Sequence, residues 1–193
     1  MSSVSIVSAG GLYNTPSPIT TTTDISGYTS DQIHALTANQ VSSLTTSQVA
    51  SIATDAIAGL TSRHLQAMAT RGVAALTSQQ IQAFSASQLN SLSRAQVGTL
   101  SSQQLNALTS DQFAGLRATQ VSAIGVAQLA AMDTGQLAQL SGSQMQALTT
   151  AQVAGLTSAQ VAALSTADLT ALGSTLLQSI TGIWTASLSR PSQ

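Results

Sequence analysis

Two side chains in this sequence could carry acid–base or metal chemistry at neutral pH, His34 and His64. They fall about four repeat units apart, at different positions of the unit described below, and neither has a second histidine or a carboxylate at ligand spacing. Asp31, Asp55, Asp111, Asp133 and Asp168 scatter along the chain without forming a pair suited to general acid–base catalysis. Serine is everywhere, so it marks no nucleophile. Gly10-Gly11 is too little for a phosphate loop. Cysteine is absent, which excludes a disulfide framework and thiolate chemistry. The residues therefore point away from an enzyme, and no catalytic residue, cofactor or metal is expected. A haem or metal carrier using His64 is the most remote of the functional readings.

The side chain that does recur with strict spacing is glutamine. Gln32, Gln40, Gln48, Gln80, Gln88, Gln96, Gln104, Gln112, Gln120, Gln128, Gln136, Gln144, Gln152 and Gln160 all stand at one position of an eight-residue unit, with Ala56, His64, Gly72, Asp168 and Leu176 as the exceptions. An amide side chain accepts through Oε1 and donates through Nε2. Each Gln could close a local cap and also bond between successive rungs, giving an axial ladder.

The elements that would position these glutamines follow from the same period. Cut every eight residues from Tyr28, the chain presents a large apolar anchor each time, through Leu36, Leu44, Ile52 and onward to Leu188, with no insertion or deletion. A second apolar residue follows five positions later, from Ile33 to Leu177, and only Thr185 breaks the series. The consensus is L-[ST]-[ST]-x-Q-[VL]-x-[AGS]. Position two to position five is the S/T-x-x-E/Q capping box, and the anchor and second apolar residue occupy the N′ and N4 positions of a hydrophobic staple. One octad thus carries both start signals of a helix that runs under two turns before the next cap. Asp133 falls at a cap position, and Asp168 stands where negative charge suits a helix N-terminus. Position eight is small almost throughout, as if to let backbones approach where one helix turns into the next.

A continuous helix is excluded, because apolar spacings of three and five average 4.0 and the stripe would drift by roughly 80° per octad. A β-solenoid is the remaining competitor. Repeated Thr and Val favour it, but Ala, Gln and Leu favour helix, and odd gaps would place the two apolar positions on opposite faces of a strand. The expected fold is an all-α solenoid, a superhelix of about twenty short capped helices over residues 28–172. Two buried side chains per octad cannot offset the entropy of ordering eight residues, so stability must come from stacking many copies.

Residues 1–27 read as an N-terminal arm with a Thr/Pro-rich linker, and 173–193 as an apolar C-terminal cap and tail. Ile183, Trp184 and Leu188 within that tail are candidate docking residues. Charged residues make up only 6% and the net charge is −1, so the basic footprint that nucleic acid requires is missing. The N-terminal residues make a poor secretory signal, and no apolar run is long enough to span a membrane. Weak self-repulsion favours self-association, and another protein or a glycan is the alternative partner.

The segment Leu156–Leu164, LTSAQVAAL, resembles the opening helix of a TAL-effector DNA-binding repeat, whose longer period and base-reading loop are not found here. The span from Tyr28 to Leu172 resembles octapeptide arrays of bacterial proteins labelled haem-utilisation or adhesion proteins. That resemblance implies a bacterial protein exported or held at the cell surface by a route without a classical signal peptide, with a cytoplasmic location as the alternative. The functional expectation is a structural or adhesive scaffold, with end-to-end self-assembly as its mode of growth. The runner-up is a secreted binding protein using a Ser/Thr/Gln face.

Overall fold

The computed structural model describes residues 18–173 and shows an all-α solenoid. Sixteen short α-helices and one 3₁₀ helix run from Ser30 to Ala163, and a further helical stretch covers 166–173. No strand occurs among the described residues.

Each helix begins as its octad dictates. In the first, Ser30–His34, Thr29 has extended backbone (φ −75°, ψ 165°), its hydroxyl accepts the Gln32 amide at 3.3 Å, and Gln32 Oε1 accepts the Thr29 amide at 2.9 Å. The same reciprocal box opens the helices Ala38–Ser43, Thr46–Ser51, Ser78–Gln82 and most of those that follow. Each helix ends as the anchor of the next octad turns extended, for example Leu44 at φ −56°, ψ 135°. The anchor amide closes the last turn on the second apolar residue, as Leu44 does on the Val41 carbonyl at 3.3 Å. Two consecutive extended residues, anchor and cap, form corners such as Leu44-Thr45 and Leu92-Ser93.

The corners place three octads in each turn of the solenoid. Helix Ser30–His34 packs against Thr54–Gly59, Ala38–Ser43 against Ser62–Ala67, and Thr46–Ser51 against Thr70–Ala74. The same offset of three octads continues through Thr134–Leu137 against Ser158–Ala163. The body is a three-sided prism with helices stacked in three columns. From Tyr28 its coils are 28–51, 52–75, 76–99, 100–123, 124–147 and 148–171. Anchors and second apolar residues of all three sides point inward and make one continuous core, with Ile33, Val49, Val73, Val97, Phe113 and Leu137 at 0% exposure.

The octad register continues below Tyr28, where residues 20–27 have the features of a degenerate octad. Thr20 stands in the anchor register, and Ile25 stands in the second apolar register at 0% exposure. The Tyr28 amide closes on the Ile25 carbonyl at 3.1 Å, as each later anchor does on its predecessor. Asp24 occupies the glutamine position. Its carboxylate accepts the Ser26 amide at 2.9 Å, and that bond holds it below the usual carboxylate range.

Small residues at position eight also have a different reason from the one expected. They lie over position three of the helix one coil earlier. A Cβ on Gly59 would fall 2.1 Å from the Ser30 carbonyl oxygen, and one on Gly155 would fall 2.2 Å from Val126 Cγ1. Val126 is the exposed large apolar residue of the described surface, and it faces a glycine. Gly155 has ordinary helical backbone (φ −87°, ψ −2°). Gly155→Ala should therefore cost about 1–3 kcal/mol through the clash with a stiff β-branched neighbour. With Val126→Ala the sign should reverse, because Ala then only reduces the entropy of the unfolded chain by about 0.4–1 kcal/mol. Denaturant melts of the four proteins of that cycle would show it; equal effects in both backgrounds would refute the contact.

Candidate functional site

Three columns of glutamine, one at each side of the prism, are the most regular polar feature of the molecule. The first holds Gln32, Gln80, Gln104, Gln128 and Gln152. The second holds Gln40, Gln88, Gln112, Gln136 and Gln160. The third holds Gln48, Gln96, Gln120 and Gln144 and reaches Asp168. From Gln48 onward these side chains are buried or nearly so.

Each buried glutamine works in two directions. Except in Gln136, its Oε1 closes the capping box of its own helix, and its Nε2 crosses to the coil before. Gln80 donates to the carbonyls of Val49 at 2.9 Å and Ile52 at 2.7 Å. Gln96 donates to Leu65 and Met68 at 2.6 and 2.8 Å, and Gln120 to Leu89 and Leu92, both at 2.9 Å. The partner 28 residues back is always an anchor, here Leu60 for Gln88, Leu76 for Gln104, Phe84 for Gln112, Leu100 for Gln128, Leu108 for Gln136, Leu116 for Gln144, Ile124 for Gln152 and Met132 for Gln160. Gln48 follows the same rule onto Thr20, at 2.8 Å, and adds Thr23. Gln32 and Gln40 show the local box.

The geometry satisfies two sets of orphan groups with one side chain. Helix N-termini leave unbonded amides and C-termini leave unbonded carbonyls. The glutamine accepts from the first in its own helix and donates to the second in the helix below. The axial ladder is thus glutamine to main chain, not glutamine to glutamine. Glutamate could close the box but could not donate when ionised. The chain contains no Glu.

Departures from the rule are informative. Ala53 and Ala69 have no capping hydroxyl, and the same two octads lack the glutamine, carrying Ala56 and Gly72. Asp133 does not cap its helix. Its amide is taken instead by Asn106 Oδ1 at 3.2 Å, which leaves the buried Gln136 Oε1 without a partner. Asp168 does close a box, accepting the Ser165 amide and hydroxyl, both at 2.8 Å.

His64 stands in for glutamine. Its Nδ1 accepts the Thr61 amide at 3.3 Å, and its Nε2 meets the Leu36 carbonyl at 2.7 Å, the anchor 28 residues back. The fold also brings His34 beside it, ring centroids 6.5 Å apart and edge to face, although the two are remote in sequence. With both ring nitrogens of His64 engaged, a metal or haem iron could bind it only by breaking the cap or the inter-coil bond. Among the described residues no three His, Cys, Asp or Glu side chains form a group that could hold a metal ion.

The outer surface is made of positions two, three, four, seven and eight. It is Ser, Thr and Ala with scattered Gln and few charges. Most column glutamines contribute little to it, Gln32 being exposed, so the greater part of the expected Ser/Thr/Gln face is Ser, Thr and Ala. A shallow groove between two coils is lined by Leu60, Thr61, Phe84, Ser85 and Gln88, whose polar atoms already serve the boxes. Ile183, Trp184 and Leu188 lie outside the described residues. No described helix is long and apolar enough to cross a membrane.

No curated protein and no solved structure matches the chain. A family model described as the ALTTAQ repeat matches three overlapping stretches, residues 121–158, 129–166 and 143–174. The six letters of that description occur verbatim at Ala147–Gln152, so over its C-terminal coils the chain is similar to ALTTAQ repeats, with the Leu anchor, the Thr cap and the Gln of the interlock all inside the matched signature.

Proposed function

We propose that the protein is a structural or adhesive scaffold, a stiff spacer displayed outside or on the surface of a bacterial cell. One observation carries the reading. Among the described residues, the buried glutamines are taken up by capping boxes and by bonds between coils, and the exterior is weakly charged. Nothing in such a surface concentrates the convergent groups of an active site, whereas an interlocked prism transmits force and holds a fixed length. Six coils of stacked helices, at about 8–10 Å each, give a rod of roughly 50–60 Å. Bacterial origin and surface location rest on the resemblance to octad arrays of adhesion-labelled proteins. The runner-up is a binding protein that presents its Ser/Thr/Ala rows to a protein or glycan. Nucleic acid is disfavoured by a net charge of −1.

The test is to label intact cells of the source organism with an antibody to the chain, and to compare attachment of those cells with a deletion strain. Labelling with reduced attachment is expected. Confinement to the cytoplasmic fraction with unchanged attachment would overturn the proposal. Light scattering over a concentration series separates an assembling scaffold, which grows, from a binding protein, which stays discrete.

A further inference from the structure

Three of the chain's five basic residues stand on one side of the prism, in three successive coils. Arg71 lies on the helix Thr70–Ala74, Arg94 opens the helix Arg94–Val97, and Arg117 precedes the helix Ala118–Val121. These helices stack directly on one another, and all three arginines are exposed. Their octad positions shift from four to three to two, so the side chains leave the prism along a slanted line, one coil or roughly 8–10 Å apart. The carboxylates of that side, Asp24 and Asp168, lie at its two ends. Among the described residues, Arg71 and Arg94 have neither an ion pair nor a hydrogen-bond partner.

Arg117 departs from the repeat at a position where a hydroxyl serves folding. Above and below it in the column, Ser93 and Ser141 cap their helices by accepting the glutamine amide. The Arg117 side chain makes no such bond, and the Gln120 amide turns to the Arg117 carbonyl at 2.8 Å. The guanidinium reaches back one coil to the Leu92 carbonyl at 3.0 Å, which Gln120 already satisfies at 2.9 Å. The lost cap is thus exchanged for a bond that the fold does not need, and that bond holds a cation two residues along the chain from Arg94.

We infer that this side of the prism binds an acidic polysaccharide, whose carboxylates the three guanidiniums engage in turn. A guanidinium is a planar fork that meets a carboxylate through two parallel hydrogen bonds. The exposed hydroxyls of Thr70, Ser93 and Thr119 stand around the line and suit the hydroxyls of sugars. Other polyanions fit less well. No aromatic side chain lies on this side for a nucleic-acid base to stack on. A membrane surface would call for exposed apolar residues beside the charge, and Val126, the exposed large one, belongs to another side. The inference gives the adhesive reading a class of ligand, and it rests on that reading only for a location where polysaccharide is met.

Calorimetric titration of the full chain with polygalacturonate, at low and at high salt, tests it. Binding is expected at low salt and should weaken as salt screens the exposed charges. The combined variant R71Q, R94Q and R117T should bind more weakly by a factor on the order of ten. Arg117→Thr alone restores a capping hydroxyl, so its unfolding midpoint should not fall while its affinity does. Arg63→Gln, on another side, should bind as the parent does. Absence of binding at low salt, a combined variant that binds like the parent, an equal loss in R63Q, or tighter binding to duplex DNA or anionic phospholipid vesicles would each overturn the inference. Concentration-dependent growth of the protein alone that the combined variant loses would assign the stripe to a second copy of the chain; it too would overturn the inference, and it would leave the scaffold reading standing.

Discussion

Gln152→Glu is expected to destabilise the protein by about 3–5 kcal/mol at neutral pH, although the two side chains differ by one group and both suit a capping box. Gln152 is 2% exposed, and its Nε2 donates to the carbonyls of Val121 and Ile124. An ionised carboxylate there could still accept the Thr149 amide, as Gln152 Oε1 does at 2.7 Å. It would also press a second charged oxygen against two carbonyl oxygens, with no water to screen it. Burial and those oxygens would raise the pKa of the new carboxyl in the fold above that of a free Glu, near 4.3. The folded form would then bind more protons than the unfolded one between those two values, so the variant should regain stability as pH falls through that window. Chemical denaturation of Q152E and the parent across pH would show the gap narrowing toward acid. Gln32→Glu is the control, since Gln32 is exposed and shows only the local box, and it should be near neutral. A Q152E protein as stable as its parent at neutral pH would refute the two-way role of the columns.

Deleting one residue from the middle of the array should cost far more than deleting eight. Each buried column glutamine donates to an anchor 28 residues earlier, and the octads repeat without insertion, so removing residues 108–115 returns every later glutamine to an anchor. The prism above the cut merely turns by one side. Removing Ala114 alone leaves Asp111, Gln112 and Phe113 in a helix too short to reach the next anchor, and it displaces the glutamines above from their carbonyls by one residue. The loss of at least two buried apolar contacts and two buried hydrogen-bond networks amounts to roughly 5 kcal/mol. Denaturation midpoints should place the octad deletion close to the parent, with a slope reduced in proportion to the missing surface, and the single deletion well below both. A single deletion as stable as the octad deletion would show that corners, not register, hold the coils.

The octad, its helix starts and its apolar positions were legible in the sequence because the interactions behind them are local. A hydroxyl and an amide three residues apart form a box wherever they occur, and an anchor five residues before a second apolar side chain staples that box whatever lies above or below. The same locality explains what misled. Asp133 has a good capping side chain by type, but Asn106, 27 residues away, takes its amide. Thr20 is no apolar anchor by type, but Gln48 and Ile25 place it in the anchor register.

Only the tertiary structure decided that three octads make a turn. The angle at each corner is set by how anchors from three sides fill one core, and identical octads carry no mark of which neighbour they will meet. From that one number follow the facts that the sequence could not show. His34 meets His64 across a coil. Gly155 faces Val126. Ala56, His64 and Gly72, at three successive glutamine positions, fall in a single coil. The sequence determined that each helix would start with a glutamine; the coil beneath it, by presenting two unbonded carbonyls, decided that glutamate would not serve.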